Sequence, residues 1–508
     1  MPGHGGAGHE VHRLGTAADL DAELIRRVAA GQAVEIGPEL LRQVQASCVA
    51  ARRRLAEGQP VYGVNTGMGA LSTVALTEAE QAVHQRNLML ARAAGGPPWL
   101  PASDVRALFA VRLRTFLSGD AGVSAQLCQR LADFLAAGIV PAVPAQAAGS
   151  AGEIVSLAHA FGPLVGLGRV LVPGHGPGRD LVPQQTMPAA QVLAEHGLTE
   201  LALGPKEGVA LIGGVPGATA LSLLATAAAA TVLAMMEATA ALSIAAIGAP
   251  ADPYQAACAR GDEVHGHVLA RLRARLGELP GRPPRMLQAP VSFRVVGPVL
   301  AQVARATDAL SAAVQRALAG VTDSPAFLDG RFVGTAGFDG IDLATQCDHL
   351  TAILAHAAEI SATRTHRLLD TRVTGLPAQL APRPGPDAGL VAVHKRAVGE
   401  VHAIRRLAIP SAVGTVETSN GQEDVQSFAW AAATTLRTAL RHARLITSCE
   451  LLTAYQAATL AGLTDGQAAG PGPGRGLITT LAGLIDPITS DRQFGEDIER
   501  LAEASWIG

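Results

Sequence analysis

Apolar residues recur three and four positions apart over residues 107–117, 125–137, 299–319, 343–370 and 429–460. That period puts them on one face of an α-helix, so each stretch is predicted to be helical. Segments rich in glycine and proline, at 172–188, 380–388 and 465–476, separate them. Helical patterning resumes directly on each side, so these read as surface connections rather than interdomain linkers. One stretch departs from the pattern. Residues 209–236 carry no charge and are long enough to span a bilayer. However, Gly213, Gly214, Pro216 and Gly217 interrupt the first third, alanine dominates the rest, and Glu237 follows. Helices apolar all round also occur at the centre of large bundles, so a buried core helix is expected and no membrane span.

Composition sharpens this to a mainly α chain. Of 508 residues, 48% are hydrophobic but only 3% aromatic, and strand-favouring aromatics give way to helix-favouring alanine and leucine. A charged fraction of 16% excludes a disordered solvating chain. Forty basic and 43 acidic side chains leave a net charge of -3, with no electrostatic reason to bind nucleic acid or an anionic membrane. Cys48, Cys128, Cys258, Cys347 and Cys449 are scattered without metal-binding spacing, as expected for free buried thiols in a reducing compartment. The first residues lack an apolar signal region, and a cytoplasmic location is expected. His4, His9 and His12 belong to a solvated start, and no metal site is expected. Lys206 and Lys395 are the only lysines, which leaves few candidates for Schiff-base chemistry. The expected organisation is a disordered N-terminus over 1–15, an N-terminal part with mixed loops over 16–188, and a helical bundle with C-terminal helices over 189–508.

Four small, polar, glycine-rich segments stand out. YGVNTGMG (62–69) offers a mobile loop bearing Tyr62. GSAGEIVSLAH (149–159) is a glycine turn entering a helix, whose free N–H groups suit an anion or electrophile. PKEGVALIGG (205–214) opens the apolar helix, and SNGQEDVQSF (419–428) places Glu423 and Asp424 ahead of a long helix, where simple capping is the plainer use.

Taken in order with QRNLMLARAAG (85–95), SGDAGV (118–123), QAPVSFR (288–294) and VTDSP (321–325), these segments resemble the aromatic amino-acid lyase family of ammonia-lyases and aminomutases. The resemblance covers residues 59 to about 440. It implies a long central helical bundle with a smaller N-terminal part, and a homotetramer whose active sites are shared between subunits. It further implies a small carboxylate-bearing substrate. The family builds an electrophile, methylidene-imidazolone (MIO), by cyclising Ala-Ser-Gly: the glycine nitrogen attacks the first carbonyl and the serine loses its hydroxyl as water. The matching triplet here is Ser150-Ala151-Gly152. Ala151 has no leaving group, so no MIO cofactor is expected.

Other departures lie at the same site. Val291 replaces a tyrosine, Gly213 and Ala319 replace asparagines, and Asp339 and Arg92 replace histidines of the family pattern. The retained positions are Tyr62 and Glu423, expected to be catalytic, and Asn65, Arg294 and Gln422, expected to bind substrate together with Arg92. The resemblance assigns Tyr62 to the catalytic base, Arg294 to a carboxylate anchor and Glu423 to the neighbourhood of the substrate amine. Three functions remain open: MIO-independent acid–base chemistry, a non-catalytic binding or scaffold subunit, and an ordinary aromatic amino-acid ammonia-lyase. Without an electrophile, the first needs a substrate with a more acidic proton or a better leaving group.

Overall fold

The computed structural model describes residues 11–146, 149–172, 185–279, 282–464 and 475–504. Helices dominate. The five periodic stretches form helices at Ala102–Leu117, Ala125–Ala137, Val296–Ala319, Ile341–Leu368 and Ala429–Leu460. Local chemistry sets several ends. Ser124 accepts from the N–H of Leu127 to start the helix Ala125–Ala137, and Gly138 closes it at φ 67. Thr77 and Glu80 form a reciprocal box that starts Glu78–Arg92. Strands are confined to two-stranded pairs: His12–Leu14 beside Val34–Ile36 in parallel, and Arg169–Leu171 with Thr186–Pro188 and Ala326–Leu328 with Arg331–Val333 antiparallel.

The chain forms two compact units, one of residues 1–224, 311–347 and 411–434, the other of 225–310, 348–410 and 435–508. The expected division at residue 188 does not coincide with either. Within the stretch 1–15, expected to be disordered, His12–Leu14 pairs with Val34–Ile36, which supplies partners for its backbone. His4 and His9 lie outside the described residues.

The uncharged stretch resolves into two helices, Glu207–Ile212 and Pro216–Ile247. Gly214 at φ 74 makes the break, and Pro216 starts the second helix, where its missing N–H costs nothing. This run is long and apolar enough to cross a membrane, and 61% of its most apolar window is buried inside the protein. Glu237, buried in its C-terminal half, is paired by the fork of Arg271 at 2.6 Å. Cys48, Cys128, Cys347 and Cys449 are buried thiols outside any disulfide; Cys258 is exposed, contrary to expectation, because it sits in a short surface turn over Ala256–Ala259.

Candidate active site

Within the first unit, a cavity of about 270 Å³ is lined by Tyr62, Met68, Ala151, Gly152, Ile154, Val209, Ile212, Gly213, Gly214, Ser324, Phe338, Gln422 and Glu423. Three of the four glycine-rich segments contribute to one wall or another, and the fourth delivers Gln422 and Glu423.

The Tyr62 loop is held by its own side chains. Asn65 accepts from the N–H of Val61 at 2.6 Å and donates to the carbonyl of Gln59 at 2.8 Å. Both functions of its amide are therefore engaged in shaping the loop. The N–H of Gly69 donates to the Tyr62 hydroxyl oxygen at 2.8 Å, which leaves the phenolic proton to be directed elsewhere.

Glu423 is not a helix cap. Its Oε2 accepts from the N–H of Ala151 at 3.0 Å and from the hydroxyl of Thr418 at 3.2 Å. Its Oε1 accepts from the hydroxyl of Ser419 at 3.2 Å. Donors on both oxygens hold this carboxylate as an acceptor over the triplet. Ser150 donates its hydroxyl to the carbonyl of Gly152 at 3.0 Å, and Gly152 sits at φ +113, where a side chain would be strained. Arg92 closes the helix Glu78–Arg92 near this group. Burial lowers its pKa, while the nearby Tyr62 and Glu423 raise it. Its Nη2 lies 4.0 Å from the Met68 sulfur.

Beneath the cavity lies a set of buried charges that local sequence patterns do not announce. Glu153 accepts from the N–H groups of Gly217 at 2.7 Å and Ala218 at 2.6 Å, at the start of the long apolar helix. Burial nevertheless dominates and pushes its pKa up to about 7, against those two bonds and the charge of Arg112. Arg112 is fully buried, donates to the carbonyl of Gly213, and lies 5.2 Å from the ring centre of Phe116. Burial lowers its pKa to about 10, with Asp323 and Glu153 opposing the shift. Lys206 donates to Asp323 Oδ2 at 2.5 Å, with both side chains 1% exposed. Its amine is thereby tied into an ion pair.

Arg294 belongs to the second unit, where its Nη1 donates to Gln288 Oε1 at 2.8 Å. The preceding backbone is anchored: Tyr254 donates to the Phe293 carbonyl at 3.0 Å and Arg364 to that of Ser292 at 3.2 Å. Arg364 is itself fixed by a two-pronged pair with Glu450, to which Ser243 and Ser361 also donate. Val291, beside Arg294, is exposed. Among the described residues no group of histidine, cysteine and acidic side chains could hold a metal ion.

The triplet does not fit the family's prosthetic group. Ala151 carries no hydroxyl to expel, and its N–H, whose hydrogen would leave with the Ser150 carbonyl oxygen as water after ring closure, is bonded to Glu423.

Comparison with known proteins places the chain in one family and one fold. A family model described as aromatic amino acid lyase matches residues 20–475. A histidine ammonia-lyase from Streptomyces avermitilis is 34% identical over 92% of this chain and 94% of its own length. Another, from Symbiobacterium thermophilum, is 30% identical over 95% of this chain and 94% of its own. Among solved structures, a tyrosine aminomutase from Streptomyces globisporus superposes with a TM-score of 0.88 at 27% identity, covering 98% of this chain and 97% of that one.

Proposed function

Because the chain belongs to the aromatic amino acid lyase family, we propose that it is an ammonia-lyase-like enzyme acting on a small amino acid or amino-acid-derived carboxylate, without MIO. Tyr62 is the base. Having first passed its phenolic proton to solvent, its oxygen takes a proton from the carbon next to the one bearing the leaving group. The freed electron pair forms the new double bond, and the leaving group departs with the electrons of its own bond. Glu423, held as an acceptor, receives the N–H groups of a substrate amine or the second proton. Arg92 balances the negative charge of Tyr62 and Glu423 during transfer. Gln422 orients the substrate from the cavity wall, and an Arg294 supplied by another copy of the chain, as the resemblance implies for sites shared between subunits, anchors the substrate carboxylate through its planar fork. Asn65 acts through the Tyr62 loop.

The observation that carries the MIO-free part is Ala151, since alanine cannot lose water to leave a methylidene. The names of the relatives favour a second reading, an ordinary aromatic amino-acid ammonia-lyase, over this finer one. Such an enzyme would have to make its electrophile by another route. A non-catalytic binding or scaffold subunit is the third reading, and a carboxylate cradle without turnover would serve it.

Steady-state assays on histidine, tyrosine and phenylalanine separate the first two. The MIO-free reading expects none of them to be deaminated at a rate typical of an enzyme, and turnover only of substrates with a pre-acidified proton or a better leaving group. Rapid release of ammonia from any of the three supports the ordinary lyase. Stabilisation by small carboxylates with no turnover of any substrate supports the binding subunit.

A further inference from the structure

Gln85 opens the QRNLMLARAAG segment and lies fully buried on the helix Glu78–Arg92, behind the cavity rather than in its lining. Its amide is used at both ends. Nε2 donates to the carbonyl of Gly63 at 3.1 Å, and Oε1 accepts from the N–H of Val209 at 3.1 Å. Gly63 follows Tyr62 in the loop, and Val209 lies in the first turn of the helix Glu207–Ile212. Tyr62, Val209 and Ile212 all line the cavity, so one side chain joins the loop of the base to the wall.

The two bonds call for glutamine in particular. The first N–H groups of an α-helix have no partner within it, and Lys206, ahead of this helix, offers no side-chain cap. Gln85 supplies the acceptor from another helix, while its NH2 group supplies the donor that the loop carbonyl needs. The backbone is built to close on this amide. A side chain on Gly208 would collide with the Gln85 backbone, and one on Gly63, at φ +69, would come within 2.9 Å of Val209 and 2.8 Å of Met68. Asn65 bonds only to Gln59 and Val61, so it shapes the loop without tying it to the wall. We infer that Gln85 is a positioning residue: it clamps the Tyr62 loop to the helix Glu207–Ile212 and thereby fixes where the phenolic oxygen stands. This rests on the reading of Tyr62 as the base.

The test is amide hydrogen exchange of the full-length protein, read on residues 62–69 and 207–212, with the helix Ala22–Ala29 as reference. Gln85→Met keeps the bulk and deletes both bonds. The ring of His84 also bonds to the Gly63 carbonyl, so release is partial. Exchange at 62–69 and at 207–212 should quicken about fivefold, the worth of one hydrogen bond, with 22–29 unchanged. Gln85→Glu, read at pH 8, keeps an acceptor for Val209, whose N–H favours the ionised form, and loses the donor. It should quicken 62–69 alone, and it decides the matter if the Met variant does not fold. On whichever substrate wild type turns over, both variants should lose kcat about fivefold or more with KM within about twofold, because Tyr62 acts in the chemical step. Loop exchange at the wild-type rate, an equal rise in all three segments, or a released loop with undiminished kcat overturns the proposal. The exchange readings need no turnover, so a chain that fails the lyase assays still passes or fails this one.

Discussion

The backbone N–H of Ala151 donates to Oε2 of Glu423 at 3.0 Å, joining positions 272 residues apart in the chain. Cyclisation of the triplet followed by dehydration would remove that hydrogen, because it leaves with the Ser150 carbonyl oxygen as water when the ring C=N bond forms. The carboxylate and an intact peptide at 151 therefore support one another. Replacing Glu423 by Gln keeps an oxygen for this N–H but removes the charge beside Arg92 and the second strong acceptor. Glu423→Gln should fold and lose activity on whichever substrate is turned over, by about 10²-fold or more. Undiminished kcat would remove Glu423 from the mechanism.

Tyr62→Phe deletes only the hydroxyl. Turnover should fall by about 10²–10⁴-fold, the usual worth of a positioned base, while affinity for carboxylate ligands stays near wild type. Loss of the Gly69 bond should cost about 1 kcal/mol of stability. A variant as active as wild type shows that Tyr62 merely packs.

For Arg294, the comparison is with lysine. A point charge cannot reproduce two parallel bonds to one carboxylate, so Arg294→Lys should weaken carboxylate binding about tenfold or more. If Arg294 serves only its bond to Gln288, the variant would lose some stability and bind carboxylates as before.

Much of this was legible from residue order. The helix Ala429–Leu460 matches its apolar period to the residue, whereas Ala102–Leu117 begins five residues before its period does. Its first turn includes Ser103 and Asp104, and polar residues in a first turn leave no apolar trace. Tyr62, Ala151, Gly152, Gln422 and Glu423 were all visible through their short motifs, and they line one cavity. The charges beneath it were not. Arg112 meets Gly213 across 101 residues and Lys206 meets Asp323 across 117, and neither partner is implied by its own neighbours. The landmarks PKEGVAL and VTDSP contain Lys206 and Asp323 but do not say that they face each other. Asn65 was legible as a retained residue, yet its service to the loop backbone appears only once the turn is formed.

The buried Glu153 gives a pH dependence. Its pKa rises from 4.5 to about 7 on folding, so the folded state holds its proton more tightly than the unfolded chain. Stability from this group is fully present below pH 4.5 and is lost as pH rises through about 7, a total of about 3 kcal/mol. Glu153→Gln should flatten the stability profile across that window. It should also lower stability overall by about 1–3 kcal/mol, because Gly217 and Ala218 donate to different oxygens and one of these becomes an NH2 that cannot accept. Denaturant melts at a series of pH values check both effects; an unchanged slope in the variant assigns the pH dependence elsewhere.

Leu71, Val74, Val83 and Leu90 near the Tyr62 loop, and Val413, Val416 and Val425 near Glu423, are all at least 50% exposed in the single chain. Apolar surface of this extent is normally covered, and further copies of the chain are the proposed cover. Light scattering should give a native mass of four chains without detergent. A stable monomer at micromolar concentration would contradict it.

The most direct test of the MIO-free reading is the intact mass of the purified protein, followed by mapping of the peptide containing Gly149 to Glu153. Ring closure and dehydration together remove two waters. The absence of a hydroxyl on Ala151 predicts a peptide at its full sequence mass. A peptide lighter by two waters, whether through Ser150 or any other route, would contradict the account and establish the ordinary ammonia-lyase chemistry in its place.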